Sequence, residues 1–126
     1  WRLGDIVEVK FDMPVVAHTL DHSVAFTRGP VLLARDSRFA DGDLTEPLRR
    51  GIRDGQPMPT FAAVRTPSDD MWMAFSATLP IGSHHENPEG ANPETVFFCD
   101  YASAGNTWRR GDYYRTWFPV EFGPAE

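Results

Sequence analysis

Eleven prolines and ten glycines are scattered through the 126 residues of this chain, and no other feature limits its fold as much. Proline in a helix interior removes a backbone donor and clashes with the turn before it, and glycine there costs about 1 kcal/mol relative to alanine. A helical bundle does not tolerate that density of breakers. Strands and turns do, and the 13% of aromatic residues suits pleated, half-buried surfaces. The length allows one good core and is too short for a catalytic barrel plus an accessory module. Residues 1–126 therefore read as one all-β domain.

Local patterns place the strands. Ile6–Met13, "IVEVKFDM", alternates Val7, Val9 and Phe11 with Glu8, Lys10 and Asp12. That period predicts a half-buried strand, which Pro14 keeps from being a central one. Ser23–Thr27 and Val31–Arg35 predict two strands joined through Arg28-Gly29-Pro30, where glycine supplies positive φ and proline fixes the next φ. Asp36–Pro59 mixes charges with glycine and proline, and reads as a long excursion with one helical turn near Leu48–Arg50. Thr60–Arg65 and Met71–Thr78 flank "TPSDD" and predict a β-hairpin. Leu79–Glu94 is a breaker-rich polar loop. Thr95–Tyr101 and Tyr113–Val120 are the last two strands, and "DYASAGNTW" (Asp100–Trp108) connects them as a long hairpin loop or a crossover. About seven or more short strands with long polar loops, and no sustained helical period, predict an antiparallel β-sandwich.

The net charge of −6, with one lysine among twelve basic residues, gives no basic run and no electrostatic footprint for nucleic acid. No apolar stretch approaches the roughly 20 residues that span a bilayer, so no membrane segment is expected. The lone Cys99 excludes an intrachain disulfide, and no signal-peptide pattern opens the chain. Together these slightly favour the cytoplasm. The opening Trp1 suggests a processed or excised piece.

Candidate chemistry is sparse. His18 and His22, with Asp21 between, would share a side if helical, but they sit between strands with no glutamate base placed to help. His84, His85 and Glu86 are adjacent in a Gly/Pro/Asn-rich loop, and no convincing third and fourth ligands complete a metal site. Cys99 lies inside the apolar run "VFFCD", where Asp100 would raise its pKa, so a small buried hydrophobe is expected. Asp69 and Asp70 belong to a turn, and adjacent side chains point apart, which is wrong for a glycosidic acid pair. No phosphate loop, nucleophile elbow or CxxC is present. The residues therefore predict no catalytic set, no metal and no cofactor.

A more specific signal comes from the ends. "WRLGDIVEVKFDMPV" (Trp1–Val15), "VAFTRGPVLLARD" (Val24–Asp36) and the closing "DYASAGNTW…YYRTWFPV", with Arg115 and Trp117, form an ordered set. It resembles the C-terminal β-sandwich region of glycoside hydrolase family 127-like proteins, which include bacterial β-L-arabinofuranosidases. Asp36–Asn92 has no clear counterpart. In that family the catalytic cysteine and glutamate, and a cysteine- and glutamate-held zinc, belong to a separate (α/α)6 barrel. The resemblance thus implies a non-catalytic accessory domain whose partner is that barrel, and it carries over no catalytic residue.

The loop Asp100–Trp108 then has two readings. Asp100 and Asn106 can bond nearby backbone and Gly105 permits a tight turn, while Trp108 covers the sheet or docks on the barrel. Alternatively, Asp100, Tyr101, Asn106 and Trp108, together with Trp72, contact a glycan, since an exposed ring beside amide and carboxylate groups suits sugar stacking and hydrogen bonding.

Overall fold

A computed structural model describes residues 1–49, 52–81, 93–107 and 109–121. The expected all-β architecture is what the chain adopts: nine strands and one short 3-10 helix, with no α-helix among the described residues. In chain order the strands are β1 (Val15–Leu20), β2 (Ser23–Arg28), β3 (Val31–Asp36), β4 (Leu48–Arg49), β5 (Ala62–Val64), β6 (Ala74–Pro80), β7 (Pro93–Asp100), β8 (Tyr114–Arg115) and β9 (Phe118–Glu121). The 3-10 helix, Ser37–Phe39, follows β3.

The strands join in one ladder, β4-β9-β2-β3-β7-β6-β5, with β1 added on β2 and β8 on β3. All pairings are antiparallel except the parallel pair β4–β9. The sheet curls into a half-barrel, so that Leu48 in β4 bridges Ile81, just beyond β6. Gly29 and Pro30 make the tight β2–β3 turn expected of "RGP", with Thr27 opposite Leu32, Arg28 opposite Val31, and Gly29 at φ +55°. The outer edge of β1 is covered by residues 55–58, whose backbone bonds to Val15 and Ala17.

The concave side holds the core. Phe26 lies edge-on to Phe98 (5.7 Å between centroids), and Phe98 edge-on to Phe118 (5.6 Å). Val24, Leu33, Leu48, Phe75, Leu79, Ile81 and Val96 surround them. Each such side chain fully removed from water is worth about 1.5–3 kcal/mol. Because side chains alternate along a strand, the residues next to these, Ala34, Ala74 and Cys99, face the other way. With Met71 they form a second, smaller cluster, against which Phe39 and Ala104 pack. The 3-10 helix and the segment after β7 therefore cover the convex face of β3, β7 and β6.

Four sequence expectations are corrected. Ile6–Met13 is no strand: β1 begins only after Pro14, and it takes the edge of β2 along its whole length. Leu48 is not in a helical turn; its backbone joins the parallel ladder to β9, and its side chain is buried. Arg50 lies outside the described residues. Tyr113–Val120 is divided, because β8 pairs with β3 whereas β9 pairs with β2 and β4. Finally, β6 and β7 run further into the Leu79–Glu94 loop than expected, with Leu79 opposite Glu94 and Pro80 opposite Pro93. The predicted hairpin between Thr60 and Thr78 is present as β5–β6.

Candidate functional site

The segment from Asp100 to Thr107 begins where β7 ends, and its shape follows from two buried carboxylates. Asp100 is buried at the β7 terminus. Its Oδ1 accepts the Met73 N–H (3.2 Å), and its Oδ2 accepts the Ser103 N–H (3.1 Å) and hydroxyl (2.9 Å). Ser103 Oγ in turn accepts the Trp72 N–H at 2.9 Å. One carboxylate thus turns the chain after β7 and ties it to the start of β6.

Asp36 ends β3 and caps the 3-10 helix. Its Oδ1 accepts both the backbone N–H of Arg38 (2.9 Å) and its Nε–H (3.0 Å), and its Oδ2 accepts Arg38 Nη2 (2.9 Å) and the Gly105 N–H (2.8 Å). Arg38 continues outward, Nη2 to the Ser103 carbonyl (2.6 Å) and Nη1 to Asn106 Oδ1 (2.9 Å). The Asn106 amide then donates to the Asp70 carbonyl at 2.7 Å. Burial pushes the Asp36 carboxyl pKa up, but the Arg38 side chain and the Gly105 and Arg38 amides together outweigh it and hold the pKa below the usual carboxylate range. Nearby, buried Arg35 lies 3.3 Å from Asp41, whose other oxygen accepts the Phe97 N–H.

The expected site residues therefore divide. Asp100 is enclosed and both its oxygens are occupied, so its carboxylate presents no open face. Asn106 is exposed, yet both ends of its amide are engaged. Trp108 lies outside the described residues. Tyr101 keeps half of its surface open and stands edge-on to Tyr114, with 6.0 Å between ring centroids. A hydrogen bond to Tyr101 raises the pKa of the Tyr114 phenol.

Two shallow grooves flank that tyrosine pair. One, of about 260 Å³, is lined by Pro30, Val31, Leu32, Trp72, Tyr101 and Ala102, with Asp100 at its base. Trp72, 74% exposed, stands at its side. The other, of about 400 Å³, is lined by Gly105, Arg109, Asp112, Tyr113 and Tyr114. Gly105 lets the Tyr114 ring lie against the backbone of the segment: its φ is +66°, and a Cβ there would sit 2.8 Å from that ring. The fold thus brings together Trp72 and Tyr101, which sequence reasoning held as separate candidates. It also makes Asp36 and Arg38 central, though neither was singled out. The legible signal was an aspartate two residues before an arginine at a strand end, a local capping pattern.

The remaining chemical candidates are placed elsewhere. His18 is exposed on β1, its Nε2 2.7 Å from Thr27 Oγ1. Asp69 and Asp70 are exposed in the turn before β6, and His84, His85 and Glu86 lie outside the described residues. Cys99 is fully buried; desolvation first, then the Asp36 and Asp100 carboxylates, push its thiol up to about 12. Among the described residues no three His, Cys, Asp or Glu side chains are grouped to hold a metal ion, and no helix is long and apolar enough to cross a membrane. What the surface offers is aromatic rings held on a fixed backbone, an arrangement suited to contact and stacking. No protein-family model matches the chain, and no curated protein matches it.

Proposed function

We propose that this chain is a non-catalytic accessory module of a larger carbohydrate-active protein of the family 127-like type, and that it docks against that protein's (α/α)6 catalytic barrel. The observation that carries this reading is the set Trp72, Tyr101, Tyr114 and Tyr113, which lines two grooves beside the segment that Asp36 and Asp100 tie down. Exposed aromatic rings on an ordered surface are what a protein interface uses at its centre. The resemblance at both ends of the sequence supplies the partner. Mixing the chain with a separately purified (α/α)6 barrel of a family 127-like glycosidase tests it by sedimentation. A complex is expected, and Trp72→Ala should weaken it; no complex, or arabinofuranoside hydrolysis by the chain alone, overturns the proposal.

A second reading is favoured by the Trp72–Tyr101 groove itself: the module holds glycan chains by stacking sugar rings on those two side chains. Titration with arabinan oligosaccharides, followed by heat and tryptophan fluorescence, distinguishes the readings. A saturable signal lost in both Trp72→Ala and Tyr101→Ala makes the groove a sugar site. Silence across the panel removes this reading and leaves the docking one standing.

A further inference from the structure

Residues 6–13 carry the alternating pattern of a strand but have no strand neighbour among the described residues. Val7, Val9 and Phe11 are 61%, 65% and 75% exposed. Glu8 and Lys10, two residues apart, approach to 3.4 Å, as side chains on one face of an extended chain do. No backbone–backbone hydrogen bond involves residues 6–13 among the described residues. The segment is tethered just before β1, where Met13 lies over Gly29 closely enough that a Cβ on that glycine would meet its sulfur at 2.9 Å. An alternating apolar row with free amides and carbonyls on both sides is a template for pairing.

Among the described residues the same chain presents a free sheet edge: β5 is the last strand of the ladder, paired there only with β6, and Ala62, Ala63 and Val64 are all exposed. Ala63 stands opposite Phe75, so its side chain shares the core-facing side of the sheet. Phe61, two residues earlier, is half-buried there, 5.1 Å from Phe26 and 5.0 Å from Phe98.

We infer that Ile6–Met13 of one copy adds as an antiparallel strand to the β5 edge of a second copy, making a reciprocal, two-fold dimer. Setting Val9 opposite Ala63 places Phe11 opposite Phe61 and extends the apolar core-facing row by one strand. Glu8 and Lys10 then fall on the convex side, opposite the exposed Val64 and Ala62. Among the described residues each chain holds an unpaired alternating segment and the open edge of β5, so the exchange is self-complementary, and reciprocal pairing closes it at two copies. This surface is separate from the aromatic set proposed for docking, and neither proposal depends on the other.

Sedimentation equilibrium over a concentration series tests it. A dimer with a dissociation constant of about 100 μM or tighter is expected, weakened about tenfold or more by one of Val9→Pro and Lys10→Pro, because the N–H groups of adjacent residues point to opposite edges of a strand and only one of these two donates to β5. Both positions are exposed, and unchanged circular dichroism verifies that the monomer fold survives. Separately purified Val9→Cys and Ala63→Cys chains, mixed under mild oxidation, should give a mixed disulfide, because the buried Cys99 thiol does not compete. A chain that stays monomeric to about 1 mM, a dimer unchanged by both proline variants, or no mixed disulfide overturns the inference.

Discussion

Residues 100–107, with Tyr101, and residues 1–13, with Trp1 and Phe11, both set aromatic rings among charged and polar side chains, yet the molecule treats them oppositely. The first segment is bound to β3, to the 3-10 helix and to the residues before β6 through Asp36, Arg38, Asp100, Ser103 and Asn106. Among the described residues the second shows a turn at Arg2–Asp5, the Glu8–Lys10 pair and the Met13 contact on Gly29, and no backbone pairing over 6–13. Buried carboxylates explain the difference. A charge taken out of water has to find donors, and the backbone amides nearest to Asp36 and Asp100 are those of the segment itself. Residues 6–13 carry their charges in solvent, so nothing forces them onto the fold.

Four experiments would break or sharpen that contrast. The largest effect is expected from Arg38→Ala, which leaves Asp36 buried without its ionic partner; a loss of about 3–5 kcal/mol should appear in urea unfolding. Loss of under about 1 kcal/mol would mean that the amides of Arg38 and Gly105 suffice, and that the arginine is not what fixes the segment.

Acid should find the same weak point. The Asp36 carboxyl pKa is depressed in the folded state below the ordinary aspartate value of 3.8. Its contribution is therefore complete above that value and is lost as the pH falls through the lower folded value. Urea midpoints followed from neutral pH downward should fall below pH 3.8, and Asp36→Asn should flatten that limb. An unchanged limb would place the acid sensitivity on other carboxylates.

Gly105→Ala is expected to cost about 1–3 kcal/mol, since alanine is strained at positive φ and its methyl would press on the Tyr114 ring. The near-ultraviolet circular dichroism of the Tyr101–Tyr114 pair should change with it. The smallest effect belongs to the N-terminal segment. Val9→Asp, measured in the monomer at low concentration, should shift stability by less than about 0.5 kcal/mol. A loss above about 1 kcal/mol would show that residues 6–13 do pack on the fold, and would erase the contrast.

Much of the sheet was legible because its signals are local. Gly29-Pro30 announced the β2–β3 turn, breakers bounded β5 and β6, and the apolar run before Asp100 marked β7. The candidate site was half legible. Asp100, Tyr101 and Asn106 stood out as a group, but their roles depend on Asp36, Arg38, Asp70 and Trp72, which lie 30 to 70 positions away and carry no local mark of that partnership. The error over Ile6–Met13 has the same origin. Alternation states that a segment has an apolar face; it does not state that an edge is free to receive it.

By itself the sequence determined that the chain is all-β, where most turns fall, and that Cys99 is buried, because breaker density, period-two alternation and apolar runs act within a few residues. Only the tertiary structure decided which strand took the edge of β2, how β8 and β9 divided their partners, and which polar residues of the Asp100–Thr107 segment were spent inside and which rings were left outside. Those choices rest on pairing and desolvation between residues far apart in the chain, where each stretch of a strand's edge accepts one neighbour and each buried charge claims the donors that folding brings to it.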